Sequence, residues 1–236
     1  MNIKKIIWDK ALHYLNRFFP HIRKQIISFS FLSKYYGQYN SIKKNATVDS
    51  KDNAIPWLTY PAIEYLGNLD FTSENVLEVG SGNSTIWFSK QAKNVVSLES
   101  DHEWYEITNK KVNNLENTEV FHYENLNTKQ NLEKFENCTV AFIDCISLED
   151  RLFVLDYLTE QINKLNIKLI IVDNTDNPEL YTATQKFVKE TNWVDVELVG
   201  FGPQNRYVWS TSILINPNNR VLRKNQSINP IKNTFK

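Results

Sequence analysis

The chain has 236 residues, 42% of them hydrophobic, which is enough for one α/β domain with a sizeable core and an extra segment. Lys and Arg (27) balance Asp and Glu (27), and with only two cysteines, Cys138 and Cys145, no disulfide framework is expected and reduced thiols in a cytosolic setting are the natural reading. No apolar run reaches membrane-spanning length and charges interrupt the N-terminus throughout, so neither a transmembrane helix nor an export signal is supported.

The balance is uneven along the chain. Residues 1–50 carry a net +7, the stretch from Asn216 onward +5, and the middle therefore −12. The first segment reads as two helices separated by Pro20. Ile3, Ile7, Ala11, Leu15 and Phe18 recur at helical spacing in the first, and Ile22, Ile26 and Ile27 lie among Arg23, Lys24 and Lys34 in the second, about His21 to Tyr36. Solvated ends, peripheral contact with an anionic membrane, or self-association are the readings open to such basic amphipathic helices. The polar stretch "GQYNSIKKNATVDSKDN" reads as a linker. The expected organisation is a helical extension and linker over 1–50, a main domain over 51–216 and a basic tail over 217–236.

Strand and helix patterns then alternate. Strands are predicted near Val76–Val79, Val95–Leu98, Glu119–Tyr123, Val140–Ile143 and Leu169–Val172. Helices are predicted near Ser84–Gln91, Glu103–Asn113, Thr128–Phe135, Glu149–Asn163 and Glu179–Glu190. Several strands are nearly continuous apolar runs, as expected when both faces of a parallel sheet are covered. Two final strands, "VDVELVGF" and "YVWSTSILI", have no helix between them and predict an antiparallel pair closing a doubly wound sheet.

In "NVLEVGSGNSTIWFSK" a strand runs into Gly80-Ser81-Gly82 and then a helix that Asn83 and Ser84 can cap, at the edge where open parallel sheets bind ligands. A dinucleotide fingerprint wants a third glycine where Thr85 stands. Glu78, two residues before the first glycine, would repel a pyrophosphate and favour a ligand bearing an amine or sulfonium. Glu99 ends the second strand seventeen residues after Gly82, where a carboxylate can accept from both hydroxyls of a ribose.

With these residues, from roughly Ile55 to Ile215, the chain resembles the class I S-adenosylmethionine-dependent methyltransferases. The resemblance implies a Rossmann-like α/β fold, a doubly wound and mostly parallel seven-stranded sheet, here with an N-terminal helical extension. It also implies S-adenosylmethionine on Glu78, Gly80, Ser81, Gly82, Asn83, Ser84 and Glu99, with Tyr123 in "YENLN" flanking the adenine. Tyr60 in "IPWLTYPAIEYL" reads either as an anchor at a helix start or as a lid residue over the methionine end.

Asp144, Asp173 and Asn174 fall at adjacent strand ends, and three hard oxygen donors suit Mg²⁺. The arrangement is similar to that of catechol-type O-methyltransferases. Those place a lysine three residues after the first Asp, where this chain has Ser147, and the nearest downstream cation is Arg151. Asp144 and Arg151 are the candidate catalytic residues; Asp144 facing the cofactor and "DNTDNPE" capping a helix are the alternatives to metal binding. Asn205, Arg206 and Tyr207 in "GFGPQNRYVW" read as a hairpin loop or as acceptor contacts.

The neutral balance and the want of an interleaved basic–aromatic face argue against a nucleic-acid partner. The expectation is thus O-methylation of a small-molecule or glycan-type acceptor by a cytosolic enzyme. The rivals are an NAD-type oxidoreductase, opposed by Glu78 and Thr85, and a non-catalytic scaffold using the basic helices to bind membrane or a partner.

Overall fold

The structure is a computed structural model and describes residues 3–224. Helices α1 (Ile3–Phe18) and α2 (Pro20–Phe31) meet at Pro20, whose ring suits a first helical turn; a π-helical turn, Leu32–Tyr36, then ends at Gly37. The expected linker holds a further helix, α3 (Gln38–Lys44). Its polar sequence hides it, because what fixes it is tertiary: Gly37 turns the chain at φ 78°, and the buried Ser41 hydroxyl donates to the Val48 carbonyl at 2.7 Å. Lys232 and Lys236 of the basic tail lie outside the described residues. Its nearer part packs on the body, with Leu69 bridging Arg223 and Lys224 Nζ donating to the Gly67 carbonyl.

Helix α4 (Tyr60–Gly67) leads into the alternation: β1 (Asn75–Val79), α5 (Asn83–Ser89), β2 (Asn94–Glu99), α6 (His102–Val112), β3 (Thr118–His122), α7 (Lys129–Leu132), β4 (Val140–Ile143), α8 (Leu148–Gln161), β5 (Leu169–Asp173), α9 (Pro178–Thr191), β6 (Val194–Gly200) and β7 (Trp209–Ile215). The seven strands order as β3-β2-β1-β4-β5-β7-β6. The first five are parallel, and β7 runs antiparallel to both β5 and β6. This is the predicted doubly wound sheet with its antiparallel closing pair.

Alternate residues of the central strands feed two cores. Leu77, Val79, Ile143 and Val172 pack on one face with α8 and α9, and Val76, Phe142 and Ile171 on the other with α4 and α5. The strand order reverses between β1 and β4, and there the chain opens a crevice at the carboxyl edge. No described helix is long and apolar enough to cross a membrane. Both cysteines are buried free thiols.

Candidate active site

The crevice is a cavity of about 680 Å³. Its floor is the turn from β1 to α5. Gly80 adopts φ +97°, and a Cβ there would collide with the Asp144 carbonyl, so this position requires glycine. Ser81, Gly82, Asn83 and Ser84 follow along the cavity wall.

Glu99 holds the loop. Its Oε2 accepts from the Ser81 N–H at 2.7 Å and the Ser81 hydroxyl at 3.0 Å, and Oε1 from the Asp101 N–H at 2.9 Å. The carboxylate lines the cavity with acceptor capacity to spare for a diol. Asp101 in turn caps α6 through the Trp104 N–H. That first turn lays the Trp104 indole against Gly82, with Nε1 donating to the Ser81 carbonyl.

Glu78 lies beneath the loop, not in the cavity. It is fully buried and accepts from Ser84, from Thr85 at 2.5 Å and from Ser97 at 2.7 Å. Thr85, standing where a third glycine would be, also accepts the Gly82 N–H at 2.9 Å. Burial raises the Glu78 carboxyl to about 7, against the pull of the three hydroxyls and with the Glu99 charge adding to it. The expected contact between Glu78 and the ligand is corrected: its reach is through the loop it braces.

Two aromatic expectations are corrected as well. Tyr123 is buried and does not line the cavity, its hydroxyl donating to Asp150 Oδ2 at 2.9 Å. Tyr60 is buried and stacked on Tyr36 at 4.3 Å, while its N–H donates to the Phe201 carbonyl. Trp57 and Tyr207 line the mouth instead, and Trp57 Nε1 donates to Asn205 Oδ1 at 2.6 Å.

At the far wall the strand ends of β4 and β5 converge on Arg151 of α8. Its Nε donates to the Cys145 carbonyl, Nη1 to the Asp173 carbonyl and Asn174 Oδ1 (both 2.9 Å), and Nη2 to Asp144 Oδ1 at 3.0 Å. Asp173 is further held by the Trp209 indole N–H at 3.0 Å and the Thr211 hydroxyl at 2.6 Å. Of the triad predicted for Mg²⁺, the Asp144 and Asn174 side chains thus already accept from the guanidinium, and the Asp173 carboxylate from Trp209 and Thr211. The metal expectation is corrected: these donors are engaged within the protein, and among the described residues no cluster of three His, Cys, Asp or Glu could hold a metal. Ser147, at the position of the catechol-type lysine, caps α8 by accepting the Asp150 N–H. Asn177 in "DNTDNPE" caps α9.

Burial and the neighbouring charge of Asp173 raise the Asp144 carboxyl well above the usual range, although Arg151 opposes them. Burial likewise lifts Asp173 to about 6. Sequence reasoning missed two parts of the cavity: the segment Asn45–Thr47, read as linker, and Trp104, whose place in the first turn after the β2 acid was the available signal.

The fold and the loop–acid pair define a class I S-adenosylmethionine-dependent methyltransferase. The chain belongs to the ribosomal RNA adenine dimethylase family, whose model matches residues 62–196. No curated protein matches it. Among solved structures, cofactor-bound Rv0187 from MTB aligns at 17% identity over 80% of this chain and 95% of that one, with a TM-score of 0.53. A dimethyladenosine transferase from Plasmodium falciparum aligns at 17% identity over 68% of this chain and 63% of that one (TM-score 0.49). A methyltransferase from Geobacter sulfurreducens aligns at 13% identity over 76% and 87% (TM-score 0.49). The family match overturns the expected acceptor: a small molecule or glycan, with nucleic acid excluded, gives way to an RNA-directed family. The exclusion rested on the want of an interleaved basic–aromatic face and on whole-chain neutrality, which averages a basic N-terminus against an acidic body.

Proposed function

We propose that the protein transfers a methyl group from S-adenosylmethionine to an adenine nitrogen in RNA. The observation that carries this reading is the mouth of the cavity, beside the family match. Trp57, Trp104 and Tyr207 stand there 48%, 45% and 64% exposed, as flat surfaces on which a base drawn out of its stack can lie.

Gly80 to Ser84 and Glu99 would hold the donor, Glu99 through the ribose hydroxyls. Bound S-adenosylmethionine supplies an electrophilic methyl carbon. The nitrogen lone pair forms the new N–C bond in line as the C–S bond breaks, and one proton leaves the nitrogen. Asp144, which lines the cavity, would take it. Arg151 anchors Oδ1, and Oδ2 has no protein donor among the described residues. Its raised proton affinity makes it a better base than a surface aspartate. Arg151 is therefore a positioning residue.

The test is incubation of the protein with methyl-labelled S-adenosylmethionine and ribosomal or transfer RNA, followed by nucleoside analysis. Label in N-methylated adenosine is expected. Active protein that labels no RNA from either pool overturns the reading.

A further inference from the structure

The N-terminal helices take no part in that chemistry, yet they are built unlike the rest of the chain. Residues 10–48 contain seven cations and eight aromatic residues and no Asp or Glu. Helix α2 has no buried residue, and Tyr14, Phe18, Phe19, Phe29, Tyr35 and Tyr39 are all exposed. Lys10, Arg17, Arg23, Lys24 and Lys34 form no ion pair among the described residues, whereas Lys44 pairs with Asp52 at 2.9 Å. The interleaved basic–aromatic face that sequence reading found wanting is here, and it appears once the cations and rings are placed on exposed helices.

The segment is rooted at the cavity. Tyr36 stacks on Tyr60, Gln38 Nε2 donates to the Gly202 carbonyl at 3.3 Å, and Asn83 of α5 donates to the Thr47 carbonyl at 2.8 Å.

We propose that residues 10–44 form an RNA-docking arm, its cations pairing with phosphates and its exposed rings stacking on unpaired bases; this rests on the RNA reading above. Charge complementarity selects the occupant. A polyanion is drawn to this arm and repelled by a middle region of net −12, which orients it along one side of the molecule. The exposed apolar groups favour RNA over a lipid surface. Six of the eight large ones between Tyr14 and Ile42 are aromatic, as a stacking platform requires. A helix lying in a bilayer interface needs an apolar face free of charge, whereas here Arg17 sits over the Phe18 ring at 5.7 Å.

The test uses the full chain and a fluorescent RNA hairpin with an adenine-containing loop, titrated between 50 and 200 mM salt. The quadruple variant Arg17→Glu, Arg23→Glu, Lys24→Glu, Lys34→Glu should bind the hairpin at least about tenfold more weakly and with a shallower salt slope, while its affinity for S-adenosylmethionine is unchanged. The variant Tyr14→Ala, Phe18→Ala, Phe29→Ala should lose affinity with the slope retained, which separates stacking from charge. If the native chain binds and methylates RNA but both variants bind the hairpin as it does, the arm proposal falls and the RNA reading stands. If the native chain binds no RNA, both fall. Tighter binding of the native chain to phosphatidylglycerol vesicles than to RNA, lost in the quadruple variant, would reassign the arm to membrane and overturn the proposal.

Discussion

At Glu78 three hydroxyls converge on a carboxylate sealed from water. Its proton affinity is raised to about 7 in the folded chain and returns to the ordinary carboxylate value on unfolding. The stabilisation from the protonated form is therefore complete below about pH 4.3 and is lost as pH rises through 7. Glu78→Gln cannot titrate, so melting temperatures measured from pH 5 to 8 should fall less steeply for the variant than for the native chain. Parallel curves would show that Glu78 does not titrate in this range. At Arg151 one guanidinium joins two strand ends, and Arg151→Ala strands Asp144 beside Asp173. Denaturant unfolding should report a loss of about 3–5 kcal/mol, the scale for removing one partner of a buried pair. Since Arg151 engages Asp144 and Asn174 while Trp209 and Thr211 hold the Asp173 carboxylate, EDTA should leave turnover of the native enzyme unchanged; loss on chelation and recovery with Mg²⁺ would refute the assignment. Asp144 and Arg151 were named from the sequence, but their joining was not legible there. Asp144, Asp173 and Asn174 stood out as a metal triad, and nothing in the spacing to Arg151 told that α8 returns its first turn onto them.

Among the elements, the buried parallel strands were readable because both faces are covered, so each is an apolar run with sharp ends; Val140–Ile143 is observed as predicted. The antiparallel pair was readable because only a loop separates β6 from β7. Helix α3 was not, since polar residues surround it and its support comes from Val48. The turn between β1 and α5 was legible in its glycines and in the spacing to Glu99, and it is the element proposed to hold the donor. Gly80→Ala forces a side chain into the left-handed region, about 1–2 kcal/mol in itself, and drives it into the Asp144 carbonyl. Glu99→Ala leaves the fold but removes the acceptor, so calorimetry should show S-adenosylmethionine binding weakened by about 1.5–3 kcal/mol. Unchanged affinity in folded Glu99→Ala protein would remove it from the ribose.

Over the whole molecule, net charge misled because it is a sum. A chain neutral overall carries +7 in residues 1–50 and −12 in its middle, and only the fold reveals that the basic part stands out from the body with its rings uncovered. The fold also shows that this part is not separable. Asn45, Ala46 and Thr47 form one wall of the cavity, and Thr47 is tied to α5 through Asn83. The same peptide carries exposed Lys43, Lys44 and Lys51. Its susceptibility to trypsin therefore becomes a gauge of occupancy. Filling the cavity with S-adenosylmethionine closes the local openings through which a protease must reach the backbone, so cleavage after these lysines should slow as donor is added, by an amount that tracks saturation. Equal cutting rates in empty and saturated protein would show that this wall does not feel the donor. A cut after Lys51 would sever both the arm and the Asn45–Thr47 wall from the rest of the domain, whereas a cut after Lys43 or Lys44 would sever the arm alone.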